Sequence, residues 1–296
     1  MKNQTFGIEI EMTGLSREQT AKTVAEYFRT TFRYIRGVYD AYEVKAQDGR
    51  VWKIVRDASV IPEHKNGTPA GDTYKVELVS PICKYEDIQT VQELVRKLRG
   101  SGMVANPSTG IHVHIGIGKH TPQTLRNLAN LIYSKEHLIY RALDVNPNRS
   151  RYCKPADEQF IEDINRKKPK TMVELADLWY ARYPNEDRNR HYHESRYHLL
   201  NLHSTFTKGT IEFRGFNGTT HAGKIKAAIQ FCMAVSHQAL TQKTASRQRS
   251  SAENEKYTFR CWLLRLGLIG DEYKTARLHL LENLTGNSAW RHTDAI

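Results

Sequence analysis

The chain opens on an alternation of apolar and acidic positions. Phe6-Gly7-Ile8-Glu9-Ile10-Glu11 sets an apolar residue at every second place, the pattern of a strand with one buried and one wet face. Glu9 and Glu11 then share a face, about 6–7 Å apart at ~3.3 Å rise per residue. Two carboxylates that close repel unless a cation or a donor sits between them. Three later segments repeat the design. Lys75-Val76-Glu77-Leu78-Val79 opposes Val76 and Leu78 to Lys75 and Glu77, and Pro81 ends it. Ile111-His112-Val113-His114-Ile115 puts three β-branched residues on one face and two imidazoles on the other. Thr210-Ile211-Glu212-Phe213-Arg214 opposes Ile211 and Phe213 to Glu212 and Arg214. If these four strands share a sheet, one face gathers Glu9, Glu11, Glu77, Glu212, one or both histidines and Arg214. Such a face is a cation site.

Other elements follow from local signals. Ser16 with Gln19 reads as a capping box opening a helix to about Phe32. Residues 38–56 read as two strands around the turn Gln47-Asp48-Gly49-Arg50, the second ending at Asp57-Ala58-Ser59. A helix over 85–99 carries Val91, Leu94, Val95 and Leu98 at helical spacing, and Asn106–Gly110 is the loop that opens the histidine strand. Helices are predicted over 121–144. Residues 145–195 turn polar, charged and proline-punctuated, with helical pieces at 157–166 and 171–182. They read as an insertion or lid beside the sheet. The sheet resumes at Tyr197–Leu202 and the Glu212 strand, and a helix over 221–240 follows with Ala227, Ala228, Phe231, Val235 and Leu240 in an apolar stripe. A linker over Gln242–Ser251 leads to helices at 253–266 and 271–284. The order predicts an α+β fold: one catalytic domain over 1–296, with an antiparallel sheet, helices on one face and the other face open as a cleft.

Composition narrows the function. The 296 residues suffice for a sizeable core. No apolar run approaches the roughly 20 residues a bilayer span needs. The first strand starts within a few residues of Met1, which leaves no room for a signal sequence. Cys83, Cys153, Cys232 and Cys261 are scattered without paired spacing, so neither a zinc ribbon nor a disulfide framework is expected, and the cytoplasm is the expected compartment. The net charge of +12 is spread along the whole chain. A diffuse excess suits anionic small molecules such as nucleotides better than DNA or RNA, and no membrane association is expected.

Oxygen-rich sites with an added imidazole favour Mg²⁺ or Mn²⁺. Four carboxylates with one arginine suit two or more divalent ions bridged by a polyphosphate, with Arg214 stabilising a phosphoryl group in flight. The His112-Val113-His114 pair could instead serve zinc, with His191, His193, His198, His203 or His221 as further ligands. A metal-dependent hydrolase of amide or phosphoester bonds therefore stays open, as does a basic nucleic-acid- or peptide-binding module.

Taken in order, Gly7-Ile8-Glu9-Ile10-Glu11, Trp52…Asp57-Ala58-Ser59, Glu77-Leu78-Val79-Ser80-Pro81, Gly110-Ile111-His112-Val113-His114-Ile115-Gly116 and Glu212-Phe213-Arg214 resemble the putative amidoligase family over about residues 5–240. That family belongs to the carboxylate–amine ligases with the catalytic fold of glutamine synthetase and glutamate–cysteine ligase. The resemblance implies a curved antiparallel sheet whose concave face holds ATP and divalent metals. ATP would phosphorylate a substrate carboxylate, and an amine would displace the phosphate to leave an amide or isopeptide bond. By resemblance, Glu9, Glu11, Glu77 and Glu212 match metal ligands, as does His112 or His114, with His112 favoured. Arg214 matches the phosphate-stabilising arginine, and Asp57 an acid placed to receive the amine. Arg196 and Asn201 match a nucleotide-side pattern. The substrates implied are a small-molecule, amino-acid or peptide carboxylate and an amine donor.

Overall fold

The computed structural model describes residues 1–249 and 253–290; Ser250 and Ser251 of the expected linker lie outside them. Strand β1 (Phe6–Met12) is followed by helix α1 (Arg17–Phe28) and strands β2 (Phe32–Arg36), β3 (Ala41–Lys45), β4 (Val51–Val55) and β5 (Val76–Val79). Then come α2 (Ile88–Ser101), β6 (Gly110–Gly116), α3 (Pro122–Leu143), α4 (Glu158–Lys167) and α5 (Met172–Tyr180). The chain continues through β7 (Leu200–Asn201), α6 (His203–Lys208), β8 (Thr210–Asn217), α7 (Ala222–Thr241), α8 (Glu255–Arg265) and α9 (Lys274–Leu281). No helix among the described residues is long and apolar enough to cross a membrane.

The eight strands form one antiparallel sheet in the order β2-β3-β4-β5-β1-β6-β8-β7. The four alternating segments recognised in the sequence are its centre: β5, β1, β6 and β8 are consecutive neighbours. Their apolar residues, among them Ile8, Ile10, Leu78, Val113, Ile211 and Phe213, are sealed from solvent and join one core with residues of α1, α2, α3 and α7. Each such side chain contributes about 1.5–3 kcal/mol on burial. A slip of one residue would turn the glutamates into that core, so the register is strongly specified.

Ser16 does cap α1. Its Oγ accepts from Gln19 N at 3.2 Å, and Gln19 Oε1 accepts from Ser16 N at 2.8 Å. The helix stops at Phe28 rather than Phe32, because Arg29 adopts a left-handed φ of 52°. The run Phe32-Arg33-Tyr34-Ile35-Arg36, rich in aromatic and β-branched residues, then forms the unforeseen edge strand β2. The strand expected over Tyr197–Leu202 shrinks to two residues. There Asn201 Oδ1 accepts from His203 N at 2.8 Å, an Asx turn that starts α6 instead. Helices α4 and α5 form where expected, capped by Asp157 and Thr171. Their segment is tied to α3 by Glu136, which accepts from Ala156 N at 2.6 Å.

Candidate active site

Directly opposed residues of antiparallel strands share a face. Glu9 stands opposite both Val79 and His112, Glu11 opposite Glu77, and His114 opposite Glu212. All six polar residues therefore project from the face away from the apolar core. Arg214, two residues beyond Glu212, joins them on the same face, and a β-bulge follows it. Ile111 faces Phe216 and Val113 faces Phe213, so two steps on β6 span three on β8. The extra residue returns Phe216 to the core side, so that Phe213 and Phe216 both stay buried.

The side chains converge. His112 Nδ1 lies 3.1 Å from Glu9 Oε2 and 3.8 Å from Glu212 Oε1, and its Nε2 lies 3.5 Å from Glu11 Oε1. His114 Nε2 lies 3.3 Å from Glu9 Oε1 and 4.0 Å from Glu212 Oε1, while its Nδ1 is 3.0 Å from Thr210 Oγ1. Three interlocked groups could each hold a cation: Glu9–His114–Glu212, Glu9–Glu77–His112 and Glu11–Asp57–Glu77, with ligand atoms within 4.8 Å of one another in each. Glu9 and Glu77 are shared. Both histidines thus face the site, and the Nε2 atoms of both are buried without a hydrogen-bond partner. No group holds more than one histidine. Of the further histidines considered for zinc, His193 and His203 stack on each other at 5.2 Å and His198 bonds Pro155 O at 2.6 Å, while His191 reaches the cavity above the floor but belongs to none of the three groups.

Burial pushes Glu77 well above the usual carboxylate range, helped by the charges of Glu9, Asp57 and Glu11. Burial also raises Glu11. The same burial acts on Glu9 and Glu212 but is outweighed. The imidazoles of His114 and His112 hold Glu9 low, and Arg214 with His114 does the same for Glu212. Ionising all four carboxyls together is therefore unfavourable without added positive charge, which metal ions would supply.

Arg214 pairs with Glu212 through Nη1 and donates from Nε to Tyr152 O at 3.3 Å. Asp57 Oδ1 accepts from Ser59 N and Ser59 Oγ, both at 2.6 Å, so this acid joins the carboxylate floor with one oxygen committed. A cavity of about 470 Å³ opens over the floor, lined by Glu9, Glu11, Glu77, Asp57, His112 and Arg214. Four tyrosines (Tyr39, Tyr152, Tyr192 and Tyr197) and Arg196 stand around it. Asn201 stands behind Glu212. It donates from Nδ2 to Glu212 Oε2 at 2.6 Å and lines a smaller cavity beyond Glu212.

A model of the putative amidoligase enzyme family matches residues 2–236. The chain belongs to that family. No curated protein matches it. The match contains all ten residues singled out in the sequence and ends within α7, so α8 and α9 lie beyond it.

Some residues of this amidoligase-family site escaped the sequence reading. Arg149 is buried at the edge of the same cavity, donating to Phe216 O at 2.6 Å and to Arg214 O at 3.2 Å. Gly110 makes room for it: a Cβ there would lie 2.0 Å from Arg149 Nη2. The Gly110 N–H donates to Glu11 Oε2 at 2.6 Å. Lys208, at the end of α6, and the tyrosines come from segments with no alternating pattern to mark them.

Proposed function

We propose that this chain is an ATP-dependent carboxylate–amine ligase on a glutamine synthetase-like catalytic fold, making an amide or isopeptide bond through an acyl phosphate. Family membership supports a ligase. One observation carries the finer reading: three ligand groups joined through Glu9 and Glu77 form one wall, and Arg214 and Arg196 stand at the same cavity. A hydrolase could use one or two such groups. Joined groups facing arginines suit a polyphosphate, whose charge is spread over several oxygens.

The donor set fits Mg²⁺ or Mn²⁺: carboxylate oxygens predominate, with one imidazole in each of two groups and both Nε2 atoms lacking other partners. When bound, such ions neutralise phosphate oxygens. Glu9, Glu11, Glu77, Glu212, His112 and His114 would hold them. Arg214 is fixed by Glu212 and the Tyr152 carbonyl, a preorganised guanidinium for the phosphoryl group. The tyrosines offer faces for a base, and the cavity of about 470 Å³ is of ordinary small-ligand size.

A substrate carboxylate oxygen attacks the γ-phosphorus as its bond to the ADP oxygen breaks. The amine nitrogen then attacks the acyl carbon, phosphate leaves, and the nitrogen gives up a proton. The uncommitted oxygen of Asp57 would receive the amine N–H. We take the chain as one catalytic unit whose segment 145–195 covers the site. Its four cysteines are free thiols, three of them buried, in keeping with a cytoplasmic enzyme.

The test is a phosphate-release screen with Mg-ATP against pooled amino acids and peptides, with mass spectrometry for coupling with loss of water. Peptides cleaved with gain of water and without ATP consumption would point to the hydrolase instead.

A further inference from the structure

A second cavity of about 230 Å³ lies beyond the main one, and Arg196 and Lys208 line both. The smaller chamber is walled by Asn201, His203, Ser204, Thr207 and Glu212 together with those two cations, Asn189 and His191 complete it, and no residue of its wall is apolar. Apart from the His191 ring, which packs against Tyr39 and Tyr192, its neutral groups are committed within the protein. Asn201 bonds Glu212 and His203 N, and Ser204 Oγ donates to Thr210 O at 2.8 Å. Thr207 Oγ1 donates to His203 O at 2.9 Å, and the His203 ring bonds Tyr180 Oη at 2.7 Å.

The cations are not committed. Lys208 makes no hydrogen bond or ion pair among the described residues. Arg196 bonds only His191 O, at 3.1 Å, and its guanidinium lies 5.5 and 5.8 Å from the rings of Tyr192 and Tyr197. Two positive groups without carboxylate partners therefore stand where the chambers meet, next to the Glu9–His114–Glu212 group. An ammonium entering there would meet like charge; a carboxylate would meet two donors. The volume of about 230 Å³ falls below the ~300–1,000 Å³ of drug-sized sites. With no apolar residue in its wall, the chamber gives a large aliphatic or aromatic side chain little to bury against.

We propose that the smaller chamber is the acid subsite, that it takes a compact hydrophilic carboxylic acid of amino-acid size, and that Lys208 and Arg196 hold the carboxylate to be activated. This rests on the ligase reading of the same site. The carboxylate oxygen forms its new bond to the γ-phosphorus, and ADP leaves with the electron pair of the broken bond.

Hydroxylamine serves as a generic amine for the test. It attacks the acyl phosphate carbon, releases phosphate, loses a proton to solvent and leaves a hydroxamate that colours with Fe³⁺. Wild-type protein with Mg-ATP is offered a hydrophilic panel (glycine, L-serine, L-aspartate, L-glutamate, L-malate) and an apolar one (L-leucine, L-phenylalanine, hexanoate). Hydroxamate should form only in the hydrophilic panel. Lys208→Ala should raise KM for the active acid about ten- to a hundredfold, the loss of one charge-assisted hydrogen bond, with KM for ATP moving less than about twofold. Lys208→Arg should recover most of the loss. Equal use of the apolar acids, or a KM change confined to ATP, would overturn the assignment. If no acid gives hydroxamate and ATP is not consumed, the ligase reading is what fails. Ligand-detected NMR with the same acids then decides the chamber alone: binding of the hydrophilic panel that Lys208→Ala abolishes would uphold it, and no binding would end it.

Discussion

Gly110→Ala is the smallest change that should dismantle the floor of the site. The added Cβ would lie 2.0 Å from Arg149 Nη2, 2.4 Å from Cζ and 2.8 Å from Nε. The guanidinium has little room to retreat, because it is buried and bonded to the carbonyls of Phe216 and Arg214. Either the Gly110 backbone shifts and its N–H leaves Glu11, or Arg149 loses bonds worth about 1.5–3 kcal/mol each. Leaving a buried charge uncompensated costs about 3–5 kcal/mol. At roughly 2 °C per kcal/mol for a chain of this size, the melting temperature should fall by about 6–10 °C. The assay is thermal and urea unfolding with Mn²⁺ titration of each variant. Since Glu11 accepts from Gly110 N, Mn²⁺ affinity should fall as well. The double variant Gly110→Ala/Arg149→Met, which removes the clash and the charge together, should be less destabilised than the sum of the two single changes. A Gly110→Ala variant within about 0.5 kcal/mol of wild type would refute the packing argument, because surface-like tolerance is incompatible with the contact.

Further outcomes follow from the same geometry. Arg214→Lys should cut turnover about a hundredfold while ATP affinity changes far less, since a point charge cannot reproduce the planar fork; equal losses would assign Arg214 to ground-state grip. Glu9 belongs to two of the three ligand groups and Glu212 to one, so Glu9→Gln should lose more bound Mn²⁺ than Glu212→Gln by electron paramagnetic resonance. Equal losses would end the shared-ligand reading. Burial pushes the Glu136 carboxyl from its usual 4.5 up to about 7. The folded state then binds that proton more tightly than the unfolded chain, so stability falls as pH rises between those values and is lowest above them. Glu136→Gln, which keeps an acceptor for Ala156 N, should melt higher than wild type at pH 8 by the equivalent of about 2–3 kcal/mol and converge with it near pH 4; parallel melting profiles would contradict this. Tyr192 of the insertion reaches Tyr39 at 3.4 Å across the cleft, so Tyr192→Ala should raise phosphate release per amide formed if this contact excludes water. An unchanged ratio would show that the seal lies elsewhere.

How much of this was legible in the sequence depends on the range of the signal. Alternation at period two is local, and it placed Glu9, Glu11, Glu77, His112, His114, Glu212 and Arg214 correctly on the wet faces of four strands. The neighbour order β5-β1-β6-β8 was not local and was not read; the chemistry of the ligands gave only a reason for the four strands to share one sheet. Boundaries failed where a single backbone feature decided them. The left-handed turn at Arg29 and the Asx turn at Asn201 each ended an element that propensity alone would have continued. The β8 bulge was invisible too, since Arg214 and Glu212 keep the same parity with or without it.

The opposite wall was harder to read for a physical reason. An acidic floor needs residues at fixed spacing on strands, whereas the cations and tyrosines above it need only reach the cavity. Lys208, Arg196, Tyr192 and Tyr152 come from a helix end and irregular segments, where no period ties side chain to face. Arg149 is the extreme case. It lies in a polar stretch that resembles surface sequence, yet it is buried, and the only local trace of its position is a glycine 39 residues earlier, Gly110, that cannot carry a side chain. The floor is thus encoded by pattern and the roof by reach. On the proposed ligase function, substitutions in segment 145–208 should alter which acid and amine are accepted while leaving the strand pattern of the floor untouched.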